Sequence, residues 1–277
     1  MKQSPEFEQR LTLQHLWQTA ARLFSDTPSF GSVGEHPFTY RELSSRIRRT
    51  ASRLTAAGVG KGDRVALLSE NRPEWPVTYF AINHIGAVSV PILPDFSPAE
   101  IGNIISHSGA VLLVTSEEMR KRLPEDAPDL QIAEISEMAA DADAGADSAV
   151  TVEPDDIACI IYTSGTTGSS KGVVLTNRNL AWNAIEAGKL TDMRPGERHL
   201  GILPLAHTYE CTIGMLMMMV RGMSIWYLKR PPSVSVLLPA LSEVKPHAMC
   251  SVPLLIEKIY RSRVAPQFRG ESLTARL

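Results

Sequence analysis

The chain predicts an α/β fold, with largely parallel sheets covered by helices, and three observations predict it. Short apolar runs alternate with helical stretches of about 10–15 residues, the rhythm of strand–helix–strand units. The capping boxes Thr39-Tyr40-Arg41-Glu42 and Ser97-Pro98-Ala99-Glu100 mark helix starts. Runs 64–69 and 111–115 are apolar without polar alternation, as strands buried on both faces are.

Taken in order, the helix that starts at Thr39 carries Leu43, Ile47, Ala51 and Leu54 on one face. Gly58 and Gly60 stop it, and 64–69 reads as a buried strand. Pro73 opens a helix ending near Gly86, 88–91 is a short strand, and Ser97 starts the next helix. After the strand at 111–115, from about 134 to 154, the character changes, with 139–147 made only of alanine, aspartate and glycine, which predicts a solvated connection. Beyond it come a strand into Thr163, a polar loop, and an apolar run at 173–175. A helix over 176–187, a strand at 199–203 and an apolar helix ending at Gly222 follow. A buried strand to Leu228, a helix over 234–244, a strand at 247–251 and a helix from Pro253 complete the pass.

Composition excludes several classes. Of 277 residues, 44% are hydrophobic and 21% charged, so the chain can bury a core. A net charge of −2 gives no pull towards nucleic acid or anionic lipid. The start has no apolar signal-peptide core. Residues 212–228 are broken by Arg221-Gly222 and fall short of the roughly 20 unbroken apolar residues of a spanning helix. Core packing is the default for the five methionines there, although methionine also suits a flexible apolar ligand. Cys159, Cys211 and Cys250 lie far apart in apolar runs, which predicts buried free thiols in a reducing, cytoplasmic setting. No metal-ligand spacing joins them to the seven histidines.

Most of the chemistry is concentrated in Tyr162-Thr163-Ser164-Gly165-Thr166-Thr167-Gly168-Ser169-Ser170-Lys171-Gly172. Glycines free the backbone N–H groups to turn on an anion, hydroxyls add donors, and one lysine supplies charge. This is the composition of a phosphate cradle. An ordinary polar hairpin tip is the plainer reading, but such tips rarely run so long. Gly165 and Gly168 lie three apart, Lys171 three further, and no Ser or Thr follows the lysine, so the P-loop pattern fails.

The loop resembles the phosphate-loop signature of the adenylate-forming superfamily of acyl-CoA synthetases, peptide-synthetase adenylation domains and luciferases. Ser170 stands where that family usually has proline. Leu203-Pro204-Leu205-Ala206-His207-Thr208-Tyr209-Glu210 resembles the family's next core motif. Together with Asn71-Arg72-Pro73-Glu74-Trp75 it is most similar to the long-chain fatty-acid–CoA ligases.

The resemblance implies two sheets with helices between them and a two-step reaction. A fatty-acid carboxylate attacks the α-phosphorus of ATP to give acyl-AMP and pyrophosphate, and coenzyme A then displaces AMP. It places Thr166, Thr167 and Lys171 on the leaving polyphosphate, with Thr163, Ser164, Gly165 and Gly168 completing the nucleotide cradle. Mg²⁺ would accompany ATP, with Thr163 as its weakly marked contact. His207 and Tyr209 would border the substrate pocket, and the helix from Ile213 to Val220 would wall the acyl chain. A lone histidine is more often structural than catalytic, and His207 receives no proton-transfer role. His36, His84, His107, His199 and His247 show no comparable setting.

Nothing matches the family's Tyr-Gly-x-Thr-Glu or Thr-Gly-Asp motifs or its C-terminal lysine segment. The expectation is therefore an incomplete N-terminal adenylation domain over 1–277, inactive by itself. Two alternatives stay open: a fatty-acid–AMP ligase that loads a carrier protein, and a non-catalytic scaffold of the same fold. Peripheral membrane contact and oligomeric state also stay open.

Overall fold

Helix starts in this chain are fixed by their own side chains. In the computed structural model, which describes residues 3–140, 150–163 and 171–265, both expected capping boxes form. Thr39 N donates to Glu42 Oε2 at 2.7 Å and Glu42 N to Thr39 Oγ1 at 3.2 Å, starting α2 (Tyr40–Ala56). Ser97 and Glu100 do the same for α4 (Pro98–Ser108). A third box, Thr176 with Asn179, starts α7 (Asn177–Lys189). Such caps satisfy N–H groups that a helix leaves bare.

The strands assemble into two sheets. Sheet one holds β2 (Phe38–Thr39), β1 (Pro28–Ser32), β10 (Ser224–Tyr227) and β9 (Arg198–Gly201) in that order. Sheet two runs β6 (Gln131–Glu134), β5 (Leu112–Thr115), β3 (Arg64–Leu68), β4 (Val88–Ile92), β7 (Ile157–Thr163) and β8 (Lys171–Thr176). All pairings are parallel except β1 with β2 and β7 with β8. The α/β class and the two-sheet arrangement are therefore as expected.

The central strands of each sheet are buried on both faces, their alternating side chains packing to either side. Val65 and Leu67 of β3 join a core shared by both sheets, with Trp17 of α1 (Leu13–Leu23), Ile47 of α2, Phe80 of α3 (Glu74–His84) and Ala184 of α7. Ala66 and Leu68 point the other way, onto Ile101, Ile104 and Ile105 of α4. On sheet one, Leu200 packs with Leu237 and Val244 of α9 (Val234–Val244).

The apolar stretch after His207 forms a π-helix, Glu210–Met217, continued by α8 (Met218–Val220). It is buried as expected, with Met215, Met217, Met218 and Met219 in the shared core. Gly222 follows at φ +69°, where a Cβ would meet the Phe24 ring at 2.8 Å, so only glycine ends this helix here. Among the described residues no helix is long and apolar enough to cross a membrane. Cys159, Cys211 and Cys250 are buried free thiols, and burial pushes Cys211 up to about 12.

Two expectations are corrected, and elements at the start of the chain were missed. Residues 247–251 form no strand; Ala248 makes a single bridge to His199. Ladder pairing stops there, and α10 (Pro253–Ile259) starts at Pro253. The acidic connection begins later than 134, because after the short helix α5 (Glu117–Arg120) residues Gln131–Glu134 pair with β5 and a further short helix, α6 (Ile135–Met138), buries Ile135. Residues 141–149 of that connection lie outside the described residues. Helix α1 and strands β1 and β2 were not anticipated. The signal for α1 was present: Thr12 caps it, and Leu13, Leu16, Trp17 and Ala20 recur at helical spacing.

Candidate functional site

The parallel strands of both sheets point their carboxyl ends at one rim, where α/β folds bind ligands. Strand β4 ends at Ile92, and β7, its parallel neighbour, ends at Thr163 on the same rim. β8 follows β7 in the chain and pairs with it antiparallel. The register pairs Thr163 with Lys171 and Tyr162 with Gly172, so the threonine and the lysine face each other where the loop leaves the sheet. Both are exposed. Ser164, Gly165, Thr166, Thr167, Gly168 and Ser170 lie outside the described residues.

Lys171 and Gly172, expected in the loop, open strand β8 instead. This holds the lysine by backbone pairing rather than leaving it on a loop tip. Gly172 is required where it stands: a Cβ would lie 2.9 Å from Ile160 Cγ2 and 3.3 Å from the Tyr162 ring. Tyr162 is braced in turn, its hydroxyl 2.7 Å from His107 Nδ1 on α4. Burial pushes the Tyr162 phenol above its ordinary pKa, so the pair stays uncharged on the tyrosine side. His107, passed over in the sequence, thus supports the hairpin from a separate helix. Only a contact across 55 residues reveals it.

The second motif lies beyond β9. Asn71, just after β3, donates from Nδ2 to the Leu203 carbonyl at 2.6 Å and accepts from Leu205 N at 2.8 Å. One side-chain amide therefore clamps both sides of Pro204 and ties the rim of one sheet to the other. This joins two segments singled out separately in the sequence. His207 and Tyr209 are exposed beyond the clamp, with His207 Nδ1 accepting from Tyr209 N at 3.2 Å.

Between the sheets at this rim lies a cleft of about 290 Å³, bordered by Asn71, Pro94, Gly201, Leu203, Leu228 and Lys229. The helix from Ile213 to Val220, expected as an acyl-chain wall, does not border it; most of its side chains pack into the core. His207 and Tyr209 are also not part of its lining.

Glu210 is buried with its carboxyl turned inward, its Oε1 3.2 Å from His199 Nε2. Burial raises the Glu210 pKa above the ordinary carboxylate range, and His199 draws it part of the way back. His199, like His107, had no comparable setting in the sequence, because its partner lies across a turn on another element. Among the described residues, the one group of three or more His, Cys, Asp or Glu donors includes this pair. That group does not include Thr163.

Residues 17–275 match the family model of AMP-binding enzymes. A feruloyl-CoA synthase from Amycolatopsis sp is 33% identical over 243 residues, 87% of this chain and 48% of that protein. The long-chain-fatty-acid–CoA ligase FadD15 of Mycobacterium bovis is 34% identical over 244 residues, 81% of this chain and 40% of that protein. The chain thus spans half or less of the length of these relatives. The inhibitor-bound N-terminal domain of FACL13 from Mycobacterium tuberculosis superimposes with a TM-score of 0.82 at 25% identity, covering 91% of this chain and 65% of that one. The O-succinylbenzoate coenzyme A synthetase MenE of Bacillus subtilis, in complex with AMP, superimposes at 0.78 and 24% identity, covering 89% and 64%.

Proposed function

Since this chain belongs to the AMP-binding enzyme family, we propose that it is the N-terminal part of an ATP-dependent acid–CoA ligase whose acid is a long-chain fatty acid. The observation that carries this is the β7–β8 hairpin, which sets Thr163 opposite Lys171 at the mouth of the glycine- and hydroxyl-rich loop, on the carboxyl rim of a parallel sheet. The fatty-acid choice rests on the 203–210 and 71–75 motifs, now joined by the Asn71 clamp. It is supported by relatives named long-chain ligases, although others act on feruloyl or crotonobetaine and carnitine substrates. The free cysteines favour a cytoplasmic setting.

In the first step a carboxylate oxygen attacks the α-phosphorus of ATP and pyrophosphate leaves with its bonding electrons. Negative charge then grows on the β- and γ-phosphates. Lys171, held at the start of a strand, and the hydroxyls of Thr166 and Thr167 with neighbouring backbone N–H groups stabilise that charge. In the second step the coenzyme A thiolate attacks the acyl carbonyl and AMP leaves. Magnesium would accompany the nucleotide, with Thr163 as its expected contact, and would offset charge on the phosphates. Thr163 orients the polyphosphate, and His207 and Tyr209 border the approach of the acid.

ATP–pyrophosphate exchange by the full protein that carries this chain, with fatty acids of graded length and with ferulate, tests the reading. Exchange driven best by long-chain acids supports it, and exchange driven by ferulate alone overturns the acid assignment. No exchange with any acid indicates a scaffold, and acyl-AMP that CoA does not discharge to acyl-CoA indicates carrier-protein loading. Lys171→Ala is expected to slow adenylation by about 10²–10³ and thiolysis much less. Equal slowing of both half-reactions in rapid quench would contradict the role of Lys171. On the same reading these 277 residues alone do not turn over, and AMP release from them with palmitate and CoA would show otherwise.

A further inference from the structure

Beneath the Pro204 turn, three side chains that the proposed reaction does not use converge. His199 comes from β9, Glu210 from the π-helix, and Cys250 from the segment that Ala248 bridges to β9. All three are buried, and one ligand atom from each lies within 4.8 Å of the other two. His199 and Glu210 are entirely out of solvent and Cys250 is 4% exposed.

As a hydrogen-bonded cluster, this group is incomplete. The His199–Glu210 contact uses one atom of each and leaves Glu210 Oε2 and His199 Nδ1 buried without a partner. Buried polar groups are normally paired, and a buried carboxylate is costly unless something positive offsets it. The fold also makes room for this carboxyl. A Cβ on Gly214 would lie 2.5 Å from the Glu210 carboxyl carbon, and one on Gly201 2.9 Å from Oε1. Two glycines therefore keep clear the space around a charged side chain in the core.

From this convergence we infer that His199, Glu210 and Cys250 form a three-ligand site for a borderline divalent cation, with zinc the best match. One nitrogen, one oxygen and one sulfur donor suit zinc or cobalt, whereas magnesium and calcium take oxygen ligands. With the thiol and carboxyl ionised and the imidazole neutral the donors carry two negative charges, which the ion cancels. The edges of a tetrahedron built on normal zinc–ligand bonds are about 3.3–3.6 Å. The His199–Glu210 separation of 3.2 Å is already such an edge. The cysteine sulfur completes the set with a shift of about 1.2 Å at most. Tyr209, next to Glu210 and 45% exposed, marks the outlet to solvent, from which a fourth ligand, water, is drawn. Bound there, the ion would cross-link β9, the π-helix and the Cys250 segment below the cleft. This site does not depend on the adenylation chemistry.

The test is a cobalt(II) titration of the metal-stripped 277-residue protein, followed by melting with and without zinc. One equivalent of cobalt with a sulfur-to-metal charge-transfer band in the near ultraviolet is expected, absent in Cys250→Ser. Zinc at a hundredfold excess over its Kd is expected to raise the melting temperature of the parent by about 5–10 °C. In Cys250→Ser and Glu210→Gln that rise should be lost or strongly reduced. No charge-transfer band in the parent, or an equal zinc response in parent and Cys250→Ser, would overturn the site. Should the variants fail to fold, the parent's cobalt spectrum decides alone.

Discussion

Strands β3 and β8 belong to the same sheet and carry similar apolar runs, yet they meet opposite environments. Leu67 of β3 and Val114 of neighbouring β5 are wholly buried, whereas Val173 and Val174 of β8 are 45% and 52% exposed. The difference is one of position. β3 has a parallel strand on each side and helices on both faces, while β8 is an antiparallel edge strand joined to the sheet through β7 alone. An apolar run therefore announces a strand but not its burial. The edge strand holds Lys171 in the open, where an anion can reach it, and the central strands supply the rigidity behind it.

The largest expected effect that would break this comparison is Leu67→Ala, which removes a side chain packed between the sheets. It should cost about 2–5 kcal/mol in urea unfolding. A loss below about 1 kcal/mol would place the site among ordinary surface positions and contradict the shared core. Asn71→Ala comes next. It leaves the Leu203 carbonyl and the Leu205 N–H without their clamp and should cost about 1–3 kcal/mol. Faster hydrogen exchange at the Leu205 amide, with the β3 amides unaffected, would localise that loss to the rim.

A smaller effect concerns the root of the hairpin. Asp156, just before β7, accepts from Lys61 Nζ at 2.7 Å and from Glu153 N at 2.9 Å, and these hold its carboxyl below the usual carboxylate range. Because its pKa is lower in the folded chain, the stabilisation is present above the ordinary carboxylate pKa. It is lost as pH falls through the lowered folded value. Asp156→Asn should thus cost about 0.2–1 kcal/mol at neutral pH, with the difference from the parent disappearing in acid. A pH-independent difference would assign the effect to packing instead. The smallest expected change is Val174→Thr, within about 0.5 kcal/mol of the parent. A loss above 1 kcal/mol would mean that this face is covered in solution.

Much of the order of strands and helices from Thr39 onwards, though not β6 or α6, could be read from the chain because its signals are local. Capping boxes, apolar spacing and a helix-ending glycine act within a few residues of where they stand. The glycine- and hydroxyl-rich segment could be singled out for the same reason: its composition is written in consecutive residues. The false strand at 247–251 shows the limit of such reading, since a strand needs partners that only the fold supplies. β1 shows the converse, because Pro28-Ser29-Phe30-Gly31-Ser32 has little strand character, yet it lies between β2 and β10 in the first sheet.

The sequence by itself determined the α/β class and the position of the glycine- and hydroxyl-rich segment, since both rest on short-range patterns. Only the tertiary structure decided that Asn71 clamps Pro204 across 132 residues to Leu203, that His107 braces Tyr162, and that His199, Glu210 and Cys250 meet in the core. These pairings join groups on different elements, and no spacing along the chain encodes which ends of two sheets will face each other. That is set by how the apolar faces of helices and strands find mutual cover, which is a property of the whole packed chain.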